Sequence, residues 1–296
     1  MGRSRRVTGP YLDAEGVDML QGGGKLLIGS GGRYIGAGHF GLVDLGDGVQ
    51  KFSMHWEADL DRGGASVLEV LPLLWKDGWP VAGVKLQPGV YEIESLRTGT
   101  ALEMAVAGMP VGGFPRRFRG GPPPSGIPGG PGGPGGPGAP GGPGGPGSGF
   151  GGMFGGTGKP IPDQDAAQVS KDWPSGNVDA GLANYMIQAQ QKWQITPVPD
   201  AGGYLGGTYV KITIAGTDRT LAATADNELV VLPAFTGAPE QLWRLDQLAD
   251  GSWRIMPKSA ANSKEPMALS AVGASSVTLS KFDPKSDKQH WLLKTP

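Results

Sequence analysis

The chain has 296 residues, with 54 Gly, 27 Pro, no Cys and a formal net charge of −1. That charge balance gives no general attraction to nucleic acid or to an anionic membrane surface, so neither is expected as a partner. The lack of Cys excludes disulfides, thiolate metal sites and thiol nucleophiles, and it leaves the redox compartment open.

The N-terminal residues MGRSRRVTGPYLD carry a basic cluster, but Thr8, Gly9, Pro10 and Asp13 follow it. A signal peptide needs an apolar run of about 7 to 15 residues at that point, so none is expected. The longest apolar stretches, such as Val67 to Trp75, fall well short of the roughly 20 residues that cross a bilayer as a helix. Over residues 1–86 the pattern predicts short strands at 25–29, 39–45, 51–56 and 66–75, separated by Gly- and Asp-rich turns. No 3.6-residue period appears among them, and the spacing suits an antiparallel meander of the kind that makes one propeller blade.

From about 108 to 165 the composition changes, and Pro128, Pro131, Pro134, Pro137, Pro140, Pro143 and Pro146 recur at every third position, each followed by Gly. Gly at every third position is what a collagen triple helix requires. A flexible loop is the other reading, favoured because Gly fills most of the remaining positions and raises the entropy lost on ordering. Strand signals resume after about residue 175, at 207–214, 228–232, 252–256 and 276–280.

Gln191-Lys192-Trp193, Gln241-Leu242-Trp243 and Gln289-His290-Trp291 recur at intervals of 50 and 48 residues, a period that signals a repeat architecture. The second repeat starts at Tyr209-Val210-Lys211-Ile212 with Leu221, and the third at Trp253-Arg254-Ile255 with Leu269. The matching start of the first is Tyr91-Glu92-Ile93 with Leu102. The Gly/Pro segment is then an insertion inside the first repeat, which a surface turn tolerates because closure cost grows only logarithmically with loop length. This pattern, over residues 87–296, resembles the ricin-type β-trefoil lectin family. The Trp residues are expected to fill the shared core, and the Gln residues to satisfy backbone groups beside them. The resemblance implies a sugar-binding acid just after the Leu of each repeat. That position holds Glu103, Ala222 and Ser270, which makes Glu103 the carbohydrate-binding candidate; an ordinary exposed glutamate is the alternative.

Residues 1–86 resemble the end of a five-bladed β-propeller of glycoside hydrolase family 43, in its arabinan-cleaving branch. The resemblance rests on Gly2-Arg3-Ser4 through Gly9-Pro10-Tyr11, the Gly22-Gly23-Gly24 turn, Gly36-Ala37-Gly38-His39, the strand around His55, and Leu74-Trp75 through Trp79-Pro80. Gly-Ala replaces the family's usual Gly-Pro before Gly-His, and Trp56-Glu57 replaces the aromatic-Asp after the strand His. The family implies inversion by two carboxyl groups roughly 6.5 to 9.5 Å apart, carried on blades earlier than the Gly-Arg-Ser motif. On the resemblance this chain carries no catalytic residue and is inactive alone. Glu57, Asp59 and Asp61, like Asp44 and Asp47, read as solvated turns, and no HExxH, Ser-His-Asp or phosphate-binding Gly motif is present. In the family the residue matching His39 lies near the propeller axis and holds a calcium ion directly or through water, which makes His39 the metal candidate. A satisfied core histidine is the alternative.

The expectation is therefore an all-β chain with about one blade of a five-bladed propeller, residues 1–86, and a β-trefoil, residues 87–296. It would be a fragment of an extracellular or periplasmic glycoside hydrolase acting on arabinan, a plant polysaccharide, with calcium in the complete propeller and an upstream-encoded propeller fragment as partner. The alternative is a non-catalytic carbohydrate-binding or surface-interaction protein.

Overall fold

A computed structural model describes residues 1–46, 48–106, 165–204, 207–259 and 265–296, all in one compact unit. Almost all of the region read as a collagen-like insertion lies outside the described residues. The chain is all-β.

Four strands, β1 (Tyr34–Asp44), β2 (Gln50–Asp59), β3 (Ala65–Lys76) and β4 (Trp79–Ala82), form an antiparallel meander in that order. Alternation along β2 sends Phe52, Met54 and Trp56 to one face, where they cluster with Leu73. Leu27 and Ile28 pack against this cluster, so the segment expected as a strand at 25–29 serves instead as a cover over the sheet, and β4 takes the place in the meander. The blade leaves Phe40, Leu42, Val43, Leu68 and Val70 exposed, Leu68 at 72%.

Twelve strands build the three repeats: β5 (Gly89–Ser95), β6 (Ala101–Met104), β7 (Val178–Ala183) and β8 (Trp193–Pro197); then, after the two-residue strands β9 (Gly203–Tyr204) and β10 (Gly207–Thr208), β11 (Val210–Ile214), β12 (Thr220–Ala223), β13 (Leu229–Leu232) and β14 (Trp243–Gln247); and finally β15 (Trp253–Pro257), β16 (Met267–Val272), β17 (Ser276–Lys281) and β18 (Trp291–Lys294). The first and last strand of each repeat pair in a ring, β5–β8–β11–β14–β15–β18 and back to β5. Closure of that ring leaves no free sheet edge. The middle strands pair as β6/β7, β12/β13 and β16/β17. A six-stranded barrel with three hairpins is a β-trefoil.

The barrel interior repeats one arrangement three times. Trp193, Trp243 and Trp291 are each fully buried, and their indole Nε1 groups donate to the carbonyls of Leu102, Leu221 and Leu269 at 2.8, 3.0 and 3.0 Å. The paired Gln side chains grip the loop after each repeat's third strand. Gln191 Nε2 donates to Asn184 O and its Oε1 accepts from Met186 N, both at 2.8 Å. Gln241 does the same with Ala234 O at 3.0 Å and Thr236 N at 2.7 Å, and Gln289 with Lys281 O at 2.9 Å and Asp283 N at 2.8 Å. Each Gln therefore satisfies one backbone donor and one acceptor that would otherwise be stranded near the core.

The blade is joined to the third repeat. Val49, in the turn between β1 and β2, is fully buried with Leu248, Met256, Ala268 and Phe282. Trp75 N donates to Ala249 O at 2.9 Å, and Val84 N to Gln247 Oε1 at 3.0 Å. Lys51 of β2 lies 3.8 Å from the buried carboxylate of Asp246, which also binds Arg244 Nε at 2.6 Å and Arg254 Nε at 3.1 Å. Beside this cluster, burial pushes the Tyr204 hydroxyl up to about 12. The turn that meets the blade is fixed from behind by Asp250, which accepts from Ser252 Oγ at 2.6 Å and pairs with His290 Nδ1 at 2.9 Å.

Replacing Trp243 with Ala should cost about 3 to 5 kcal/mol, read as a lower denaturant midpoint at unchanged slope. Gln241→Ala, which leaves the Thr236 N–H and Ala234 carbonyl unpaired, should cost about 1 to 3 kcal/mol by the same measurement.

The His290–Asp250 pair sets a second expectation. The hydrogen bond to Asp250 raises His290 above its ordinary 6.5, so its contribution is complete below that value and is lost as pH rises through the folded value. The hydrogen bond from His290 lowers Asp250 below its ordinary 3.8, so its contribution is present above that value and is lost as pH falls through the folded one. The melting-temperature gap between wild type and His290→Gln should be widest between about pH 4 and 6.5 and should narrow toward pH 9. A gap independent of pH would refute the linkage.

Candidate functional site

On β1 the register passes from Gly38↔His55 directly to Gly41↔Ser53, so His39 and Phe40 together face Met54. This is a β-bulge, a device that re-aims a side chain. His39 takes φ +50°, a left-handed conformation uncommon outside glycine. Its side chain is turned outward and is exposed, which overturns the alternative of a satisfied core histidine. The His39 ring lies 4.6 Å from the ring of His55, and His55 Nε2 is 2.8 Å from Glu57 Oε1.

Glycines on β1 make room for these groups. A Cβ at Gly36 would come within 2.8 Å of Glu57 Cγ, and one at Gly41 within 2.6 Å of Ser53 Oγ. Side chains of alternate β2 residues can therefore lie across the backbone of β1. The hydrogen bond from His55 holds the Glu57 carboxyl below the usual carboxylate range. The His55–Glu57 pair was not singled out from the sequence, although a His and a Glu two apart on a strand share a face and here face a strand with glycine at three positions.

Calcium takes six to eight oxygen ligands. Around His39 the nearby ionisable groups are a second imidazole and one carboxylate already bonded to it, and this donor set does not make a calcium site by itself. Among the described residues no group of three or more His, Asp or Glu is placed to hold a metal ion.

The acidic run at 57–61 is not a solvated turn. Strand β2 continues to Asp59, which is 1% exposed, lies 3.6 Å from Arg33 Nε and caps the next turn by accepting from Asp61 N at 3.1 Å. Asp61 fits the solvated description, exposed and 3.2 Å from Arg33 Nη1, and Glu57 is as exposed but stands on the strand rather than in a turn. Asp44 closes the β1–β2 turn, accepting from Gln50 Nε2 at 2.9 Å, and Asp47 lies outside the described residues.

Glu103 is 2% exposed, which removes the ordinary exposed glutamate. Its Oε2 accepts from Gln191 Nε2 at 3.3 Å, so the carboxylate expected to meet a sugar is turned into its own repeat. The same position in the third repeat behaves alike, with Gln289 Nε2 donating to Ser270 Oγ at 2.9 Å. Ala222 has no side chain to take that part, and there Gln241 Oε1 accepts from Thr236 Oγ1 at 2.9 Å. No helix among the described residues is long and apolar enough to cross a membrane.

No protein-family model matches the chain. An 81-residue stretch, 27% of the chain, is 43% identical to 23% of the extracellular exo-α-(1→5)-L-arabinofuranosidase ArbA of Cellvibrio japonicus (strain Ueda107). A 79-residue stretch, also 27% of the chain, is 35% identical to 23% of the extracellular endo-α-(1→5)-L-arabinanase 1 of Bacillus subtilis (strain 168). The solved α-L-arabinanase of Cellvibrio cellulosa matches over 27% of this chain and 25% of its own, at 41% identity and a TM-score of 0.25. The chain spans about a quarter of the length of these relatives, and over that stretch it is homologous to arabinanases and arabinofuranosidases.

Proposed function

We propose that this chain is part of an extracellular arabinan-degrading glycoside hydrolase, residues 1–86 forming one blade of its propeller and residues 87–296 a ricin-type trefoil that binds carbohydrate. The observation that carries the reading is the blade itself: a stretch homologous to arabinanases and arabinofuranosidases belongs with a four-stranded meander whose edge strand presents His39 from a bulge. In a complete propeller, a calcium ion near His39 would draw its remaining ligands from water and from other blades.

Hydrolysis with inversion needs a proton donor and a base facing one another across the sugar. Three acids on the sheet of the blade are already paired: Glu57 with His55, Asp59 with Arg33 and Glu69 with Lys85. This supports a chain inactive alone, and it is also what favours the second reading, a non-catalytic carbohydrate-binding protein. Both readings give the trefoil the same task.

The purified chain should release no reducing sugar from linear arabinan above the buffer background. Turnover that disappears in Glu57→Gln would overturn the assignment of inactivity. In affinity electrophoresis the chain should be retarded by arabinan in the gel. Glu103→Ala should lower the melting temperature without abolishing retardation, because its carboxylate bonds inside the repeat. Unretarded migration of the wild type would remove arabinan as the ligand of the trefoil.

A further inference from the structure

Away from the blade and from Glu103, a cleft of about 310 Å3 opens beside β14 and β15, lined by Tyr209, Arg244, Met256, Lys258, Glu265 and their neighbours. This lies at the low end of the volumes typical of small-molecule sites. Arg244 engages Asp246 through Nε at 2.6 Å, and its Cζ sits over the Tyr204 ring, 4.7 Å from the centroid. Its terminal nitrogens have no hydrogen-bond partner among the described residues. Lys258 Nζ gives one hydrogen bond, to Ala201 O at 2.6 Å, and sits 4.9 Å from the Tyr209 ring centroid, with two further N–H groups to offer. Among the described residues both cations are thus anchored at one atom and open at the others.

Guanidinium and ammonium groups donate and cannot accept. A neutral sugar ring, whose hydroxyls need acceptors as well as donors, is poorly matched by two such groups side by side. A carboxylate needs donors alone, and with Arg and Lys it makes charge-assisted hydrogen bonds about twice as strong as neutral ones. Glu265, paired with Lys281 at 2.9 Å, brings carboxylate oxygens to the same cleft, where ring hydroxyls can donate to them. A ligand carrying a carboxylate on a hydroxylated ring matches both ends.

We propose that the cleft between Arg244, Lys258 and Tyr209 binds a uronic acid, free or as a unit of an acidic polysaccharide, with its carboxylate on Arg244 and Lys258. The proposal is independent of the arabinan reading and survives its failure.

Isothermal titration of the full chain with D-galacturonate, a trigalacturonate, D-galactose, L-arabinose and acetate tests it. Both uronates should bind, with the three comparators at least about tenfold weaker, the scale of one charge-assisted hydrogen bond. Tighter binding of the trimer identifies a polysaccharide unit, and equal binding of the two identifies the free sugar. Lys258→Met should weaken uronate binding about tenfold or more while Lys258→Arg retains it. Because Lys258 is exposed, the melting temperature should stay unchanged in both variants. Should Lys258→Met unfold, retention by Lys258→Arg together with weakening in high salt would support the proposal, and uronate affinity indifferent to salt would overturn it. Lack of uronate binding, acetate as tight as uronate, or full affinity in Lys258→Met would each overturn it as well.

Discussion

Burying an indole N–H is costly unless it finds an acceptor, and at the heart of the barrel that need is met three times by one construction. Each core Trp donates to the carbonyl of the Leu in its own repeat's second strand, which ties the last strand of the repeat to its hairpin. The neighbouring Gln ties the loop before it by one bond given and one received. A barrel of short strands, some of only four residues, gains its definition from these side-chain bonds, because ladders so short offer few backbone hydrogen bonds of their own. The interior thus couples every hairpin to the ring, and losing one Trp removes packing and an acceptor's partner together.

The blade depends on that barrel in turn. A four-stranded sheet with one covered face has little core, and several apolar side chains on this one stay in water. What supplements it is the third repeat, which takes Val49 into its own cluster and meets Lys51 with Asp246. Three cations converge on that one carboxylate. Desolvation, opposed by Asp246, moves the Lys51 ammonium below its ordinary range, so the junction pairs apolar burial with an ionic contact sensitive to losing either partner. Leu68 and Val70 stay exposed even so.

How much of this was legible in the sequence depends on where each residue's partners lie. The repeats could be read because their signal is a period, carried by Gln and Trp at fixed spacing and independent of what lies between. The first repeat was traceable to Tyr91 for the same reason. The strand expected at 25–29 failed because an apolar run reads alike whether it joins a sheet or lies over one, and Leu27 and Ile28 do the latter. Asp59 was misread because its partner Arg33 is distant in sequence, and an acidic run beside Gly63-Gly64 is indistinguishable from a surface turn until that partner is known. The burial of Glu103 was out of reach for a similar reason: its partner Gln191 lies 88 residues further along the chain.

His39 shows how local backbone and site chemistry are linked. Without the bulge, unbroken register would place His39 opposite Met54 on the covered face and Phe40 opposite Ser53; with the extra residue and the left-handed φ, His39 lies instead against His55 and Phe40 against Phe52. The glycines at 36 and 41 complete the arrangement by giving up their side chains, so that Glu57 and Ser53 can occupy the space above β1. A bulge and missing side chains both weaken a sheet edge, although Phe40 stacks on Phe52 at 5.3 Å beside the bulge. The blade therefore gives up local stability on the outward side of β1, the side on which His39, His55 and Glu57 are gathered.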